Sequence, residues 1–301
     1  MKQLFFLTMV AFSLFACDGC SCSCNNSNNA NSSNGAGGTV TPQKQQLNIS
    51  ILLDLSDRIS PKINPDAPKN DIENIKTVIE FFRDNMTRLS ALNAKGKIRV
   101  FLVPPPPNPS INSIVSKLTI DCSKLDNKGR KEVYDNISEL YTQNLESIYS
   151  ETIATSEWIG SDIWRFFKDD VKDYCIVNDP AYRNILIILT DGYIYHEQSK
   201  FNTANRFAYL LNTNLARFRN QNWKQLVDRN DFGLLTERDD LNDLEVLVLE
   251  VRSENISNKV DEDILQYVLK KWLGEMNVSR YEVYSSDLPA YTKTRIENFL
   301  K

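Results

Sequence analysis

From Leu47 to Lys301, short and nearly unbroken apolar runs alternate with longer segments whose apolar residues recur every three or four positions. "LNISILLD" and "RNILIILTDG" are of the first kind, rich in Ile and Leu, and predict strands buried on both faces. "KIRVFLV", "DLEVLVLEVR" and "RYEVYSS" predict three more strands, and "SKLTIDC" a short edge strand. "NDIENIKTVIEFFRDNMTRLSAL" is of the second kind. It sets Ile72, Ile75, Val78, Ile79, Phe82, Met86 and Leu89 at helical spacing, and Asn70 with Glu73 predicts a capping pair. "RKEVYDNISELYTQNLESIYSETI", "SDIWRFFKDDVKDY", "DEDILQYVLKKWLGEM" and "AYTKTRIENFL" read as further helices. "KFNTANRFAYLLNTNLARFRNQN" reads as a long amphipathic helix with Phe201, Ala204, Phe207, Leu211, Leu215 and Phe218 on one side. "PPPPNP" predicts a stiff extended linker, and the polar stretch from Trp223 to Asp243 an insertion on the surface.

Strands that alternate with helices imply an α/β fold: a doubly wound, mainly parallel central sheet with helices on both faces. That pattern fills residues 47–301, whereas the first 46 residues are of another kind. "MKQLFFLTMVAFSLFAC" has a basic Lys2 and an apolar run from Leu4 to Phe15, too short for a permanent membrane span, so residues 1–16 read as a signal peptide. The run ends in Leu14, Phe15, Ala16 and Cys17, which resembles the lipobox of bacterial lipoproteins. The resemblance implies cleavage before Cys17, a lipid on that cysteine, and a protein held on a membrane of the bacterial cell envelope, facing either the periplasm or the outside.

Residues 17–46 are rich in Asn, Ser and Gly and hold too little apolar surface to offset the entropy of ordering, so they read as a flexible tether. Cys20, Cys22 and Cys24 fall inside it with no histidine or second cysteine cluster to complete a soft-metal site. Cys122 and Cys175 are the only cysteines of the globular part, and export leaves a disulfide between them open. The net charge of −4 argues against general nucleic-acid binding, which needs a basic face.

Ligands of open α/β sheets gather beyond the carboxyl ends of the strands, where the strand order reverses. Three segments deliver oxygen donors to that edge: "DLSDR" with Asp54 and Ser56, "WIGSDIW" with Ser161 ahead of a helix, and "LTDG" with Asp191. Carboxylates and hydroxyls suit a hard divalent cation such as magnesium. The single histidine, His196, stands without a nucleophile motif and reads as a surface residue. Tyr193 and Tyr195 divide between core and rim, in an order the pattern leaves open.

On these three segments the chain resembles a von Willebrand factor type A domain, whose metal-ion-dependent adhesion site uses Asp-x-Ser-x-Ser, a distant Thr and a distant Asp. The resemblance implies metal ligands at Asp54, Ser56, Ser161 (for the threonine) and Asp191. It also implies a protein partner whose acidic residue completes the coordination of the ion. The pattern departs at position 58, where Arg replaces the second serine. A guanidinium cannot ligate a cation. Arg58 either points away or pairs with Asp57 or Asp162 and leaves the cavity free, or it is the internal counter-ion of Asp54 and Asp191 in a metal-free interaction scaffold. A third reading is a metal-assisted phosphohydrolase. Ser56 stands where the haloacid-dehalogenase-like phosphatases carry their acid–base carboxylate, which argues for binding rather than catalysis.

Overall fold

The computed structural model describes residues 45–90, 92–255 and 258–301. The signal peptide, Cys17, the three tether cysteines and nearly all of the tether lie outside the described residues. Strand β1 (Gln46–Leu53) is buried from Leu47 onward. Leu47, Ile49, Ile51 and Leu53 enter one core and Leu52 enters the other, as the period of two requires. Asn48 also lies on the second face, where its Nδ2 donates to the Cys175 carbonyl at 2.9 Å and to Asn184 Oδ1 at 2.8 Å. Its amide is therefore satisfied inside the core.

Helix α1 (Ala67–Leu89) follows, three residues ahead of the expected start. Pro68 sits in its first turn, where no N–H is needed, and Glu73 pairs with Lys76 at 2.8 Å instead of capping. Next come β2 (Lys97–Leu102), α2 (Pro109–Lys117), β3 (Ile120–Asp121) and the long α3 (Asn127–Thr155). A helical stretch made of α4 (Ile163–Arg165), one π turn (Phe166–Asp170) and α5 (Val171–Cys175) leads to β4 (Tyr182–Leu189). Three two-residue strands, β5 (Asn202–Thr203), β6 (Arg206–Phe207) and β7 (Gly233–Leu234), surround α6 (Asn212–Leu215) and α7 (Trp223–Arg229). The chain closes with β8 (Glu245–Val251), α8 (Lys259–Glu275), β9 (Arg280–Ser285) and α9 (Pro289–Leu300).

The central sheet has the order β3–β2–β1–β4–β8–β9, parallel throughout except for β3. Helices α1, α2, α3 and α9 pack on one face, and α4, α5 and α8 on the other. The fold is thus a mixed α/β fold with a mainly parallel six-stranded sheet covered on both sides. Cys122 and Cys175 are both free, buried thiols that belong to opposite cores, so the sheet separates them. No described helix is long and apolar enough to cross a membrane.

The expected long helix from Phe201 is absent. Ala204 takes a left-handed φ of 52° between β5 and β6, and Asn202 and Asn205 bond backbone carbonyls through their side chains. The local Asn202 bond competes with a helix, the Asn205 bond ties this turn to Asn230, and Phe201 is left exposed. The stretch from Trp223 to Asp243 is not a surface insertion either. Val227, Phe232, Leu234 and Leu241 are fully buried there, and β7 adds to β6 in a small sheet that joins the α8 core. Seven apolar residues among the 21 of this stretch carry no period to read.

Candidate functional site

The chain leaves β1 toward β2 and β3, then returns to lay β4 on the other flank of β1. Strand order therefore reverses between β1 and β4, where ligands of such sheets collect. The two carboxyl ends are tied together by the Asp54 N–H, which donates to the Leu189 carbonyl at 3.1 Å. A cleft of about 480 Å³ opens beside them, and Ser56, Ser161 and Asp191 all line it. The fourth expected donor, Asp54, lies behind them and is fully buried. Its Oδ1 accepts the Ser56 N–H at 2.9 Å, and its Oδ2 accepts the Thr190 hydroxyl at 2.7 Å. Thr190, which sequence reasoning gave no role, links the two acidic strand ends and also accepts the Gly192 N–H at 3.1 Å.

Ser161 is placed by a backbone bridge. Its N–H donates to the Tyr195 carbonyl at 2.7 Å, and its carbonyl accepts the Tyr195 N–H at 3.0 Å. The neighbouring Gly160 has φ of +82°, and a Cβ there would lie 2.2 Å from the Tyr195 oxygen, so the approach needs glycine. Ser161 is 1% exposed and its Oγ has no hydrogen-bond partner. A buried hydroxyl left unpaired costs about 1–3 kcal/mol, which makes it a place to look for an absent ligand.

Asp162 does not reach Arg58. Its Oδ2 accepts from Arg165 Nε at 3.0 Å and from the Ser199 hydroxyl at 2.8 Å, and it lies 3.3 Å from His196 Nδ1. His196 is accordingly mostly buried against this carboxylate rather than a surface residue. Of the two tyrosines, Tyr193 is the core residue, its hydroxyl accepting the Glu254 N–H at 3.4 Å. Tyr195 is the rim residue, with the Lys200 ammonium 5.4 Å from its ring centre.

Arg58 neither points outward nor pairs with Asp57 or Asp162. It is 3% exposed; its Nη2 donates to Asp71 Oδ2 at 2.6 Å and its Nε to the Asp54 carbonyl at 2.8 Å. The Tyr149 hydroxyl donates to the same Asp71 oxygen at 2.6 Å. Burial works against the Arg58 charge, but Asp71 and then Asp54 more than offset it and hold the guanidinium protonated. Burial raises Asp71 against the pull of Arg58. Neither Asp71 nor Tyr149 was flagged from sequence. The available signal was an aspartate on the apolar stripe of α1, one helical turn before Ile75.

Asp191 accepts the Tyr193 N–H at 3.0 Å. Burial, and then the Asp54 charge, push its carboxyl up to about 8, with Arg58 pulling the other way. The shortest ion pair of Arg58 is with Asp71, while Asp54 Oδ2 stands 4.0 Å from Arg58 Nε. Asp54 and Asp191 thus share more negative charge than their neighbours neutralise, and either a proton or a cation would relieve it. Among the described residues no group of three His, Cys, Asp or Glu side chains is placed to hold a metal ion. The set here is of another type, two carboxylates with two hydroxyls, which is the chemistry of a hard cation that keeps several waters. The unpartnered Ser161 Oγ and the surplus charge fit such an ion, with one protein donor fewer than the three-hydroxyl pattern supplies.

No family profile matches the chain, and no curated protein matches it. Among solved structures it is similar to the pilus adhesin SpaC of Lactobacillus rhamnosus GG, at 9% identity and a TM-score of 0.39. That match covers 85% of this chain and 30% of the adhesin chain.

Proposed function

We propose that the protein is an exported, lipid-anchored binding protein of the bacterial cell envelope. Its domain of residues 47–301 is of the von Willebrand factor type A kind and takes a protein partner at the cleft between β1 and β4. Cys17 carries the lipid and residues 17–46 are the tether. Ser56, Ser161 and Asp191, with Asp54 behind them, would hold a divalent cation such as magnesium. The bound ion supplies a positive charge that an acidic residue of the partner can meet. The protein's own residues fix the geometry: Thr190 holds Asp54, the Tyr195 bridge holds Ser161, and the Tyr193 N–H holds Asp191. The observation that carries this reading is Ser161 Oγ, buried without a partner in a cleft that also receives Ser56 and Asp191.

Titration calorimetry of the purified protein with Mg²⁺ and Mn²⁺ tests it. Saturable binding that Asp191→Asn and Ser161→Ala weaken is expected; no heat and no thermal shift would remove the metal-dependent reading. A second reading, a metal-free scaffold that uses the same edge, is favoured by the buried positive charge of Arg58. It predicts partner binding that survives EDTA. For the anchor, palmitate label that persists after Cys17→Ala would overturn the proposal.

A further inference from the structure

Arg58, Asp71 and Tyr149 form a buried polar unit that meets the cleft donors through the Arg58 Nε bond to the Asp54 carbonyl. They come from three elements, the 3₁₀ turn Asp57–Ile59, α1 and α3, and are 3%, 0% and 2% exposed. Both hydrogen bonds to Asp71 fall on Oδ2, and Oδ1 is left unpartnered. A unit that served only to pack the core would be better made of apolar side chains, because burying an ion pair is costly even when the pair is well made. What this unit does is hold a guanidinium at a fixed place beside the cleft. Arg58 Nε bonds the Asp54 carbonyl at 2.8 Å and stands 4.0 Å from Asp54 Oδ2, and Arg58 contributes to the cleft wall. Ser60, the next hydroxyl along the chain, is not among the residues that line the cleft. Its backbone is fixed in the 3₁₀ turn, its N–H donating to the Asp57 carbonyl and its carbonyl accepting from Ile63 and Asn64.

We propose that Arg58, clamped by Asp71 and Tyr149, is a built-in cation that acts through Asp54 to keep divalent-ion affinity of the cleft low. The inference rests on the reading that the cleft accepts a divalent ion. Two effects lie behind it. Arg58 takes the chain position where the motif has its second serine, so one hydroxyl donor is missing, and its charge, 4.0 Å from Asp54 Oδ2, competes with an incoming ion for the field of Asp54. An ion held weakly by the protein alone is held well once a partner's carboxylate adds a ligand. The unit would therefore tie ion uptake to partner binding instead of letting the ion fill the site permanently. By linkage, whatever strengthens the ion also strengthens the partner.

The test measures Mn²⁺ affinity by calorimetry, with Mn²⁺-dependent thermal shift as a second readout, on the wild type and three variants. R58S/D71N restores a hydroxyl and removes both buried charges. R58Q/D71N removes the charges without adding a ligand, and R58K keeps a positive charge. Circular dichroism checks each fold. R58S/D71N is expected to bind Mn²⁺ at least tenfold more tightly than the wild type, R58Q/D71N several-fold more tightly, and R58K within twofold of it. Should R58S/D71N fail to fold, R58Q/D71N against R58K carries the comparison. Equal or weaker binding in folded charge-free variants, with the wild type still binding, overturns this inference and leaves the cation reading standing. Binding by the variants alone supports the inference and overturns metal use by the natural protein. Absence of binding in every form overturns both.

Discussion

Replacing Asp191 with Asn removes one of two acidic groups at the strand ends while keeping an oxygen to accept the Tyr193 N–H. In the folded protein this carboxyl rises from 3.8 to about 8, first through burial and then through Asp54. A group that holds its proton more tightly when folded gives the native state more bound protons than the unfolded chain between those two values. Stability from this group therefore falls as pH rises from about 4 to about 8. The full slope for one proton is about 1.4 kcal/mol per pH unit. Asp191 is partly exposed, so solvent screens the effect, and a total cost of about 1–3 kcal/mol at pH 8.5 is the reasonable scale. The neutral Asn escapes that cost.

Urea denaturation followed by circular dichroism, in EDTA at pH 4.5 to 8.5, measures it. The variant is expected to match the wild type at pH 4.5 and to exceed its stability by about 1–3 kcal/mol at pH 8.5. Excess Mn²⁺ should reverse the order at pH 8.5, because an ion that displaces the proton stabilises only the chain that keeps its carboxylate. A difference that stays constant with pH, or a variant less stable at pH 8.5 in EDTA, would refute the electrostatic account of the cleft.

Four further outcomes follow from the same geometry. Asp71→Ala leaves the Arg58 charge buried with its main partner gone and should cost about 3–5 kcal/mol in urea denaturation. Ser161→Ala removes an unpaired buried hydroxyl, so it should stabilise the ion-free protein by about 1 kcal/mol while weakening Mn²⁺ binding. Gly160→Ala drives a Cβ into the Tyr195 carbonyl at a left-handed φ and should cost at least about 1–3 kcal/mol, read as a lowered Tm. With Cys17, Cys20, Cys22 and Cys24 changed to Ser, Cys122 and Cys175 should resist a thiol reagent until the protein unfolds, and reductant should leave Tm unchanged. Burial pushes these thiols up to about 11 and about 12.

The main strands were legible because a strand buried on both faces writes itself as an unbroken apolar run, and "LNISILLD" and "RNILIILT" are such runs. Their adjacency was not legible. It comes from a register of Leu53 against Leu189 across 136 residues, and no local signal encodes it. Helices α1 and α3 were legible from their stripes. The stretch from Phe201 to Asp243 was not: up to Phe218 its apolar residues fit a helical period by accident and from Trp223 they show none, and the chain there forms two-residue strands and short helices. Asp54, Ser56 and Asp191 were legible as residue types at strand ends, and Ser161 as a hydroxyl ahead of a helix. That Asp54 lies behind the cleft while the other three line it depends on Thr190 and on the Tyr195 bridge, which are matters of tertiary contact.

Arg58 shows most sharply where sequence reading stops. Taken alone, a guanidinium in a ligand slot is a lost donor, and an aspartate on the apolar stripe of α1 is a lost core residue. Each breaks a local rule at a cost of several kcal/mol if buried without a partner. Brought within 2.6 Å of each other, with Tyr149 on the same oxygen, the two departures compensate. Two local faults that cancel only in the folded state mark a position shaped by something other than packing, because an apolar pair would have filled the space at lower cost. That compensation also decides what the arginine does to the site. The Asp71 carboxylate holds the guanidinium in place and takes its closest contact, so Arg58 neither blocks the cleft as a free cation would nor fully neutralises Asp54 and Asp191. The residual negative charge at the switch point is what an ion, or a proton on Asp191, is left to meet.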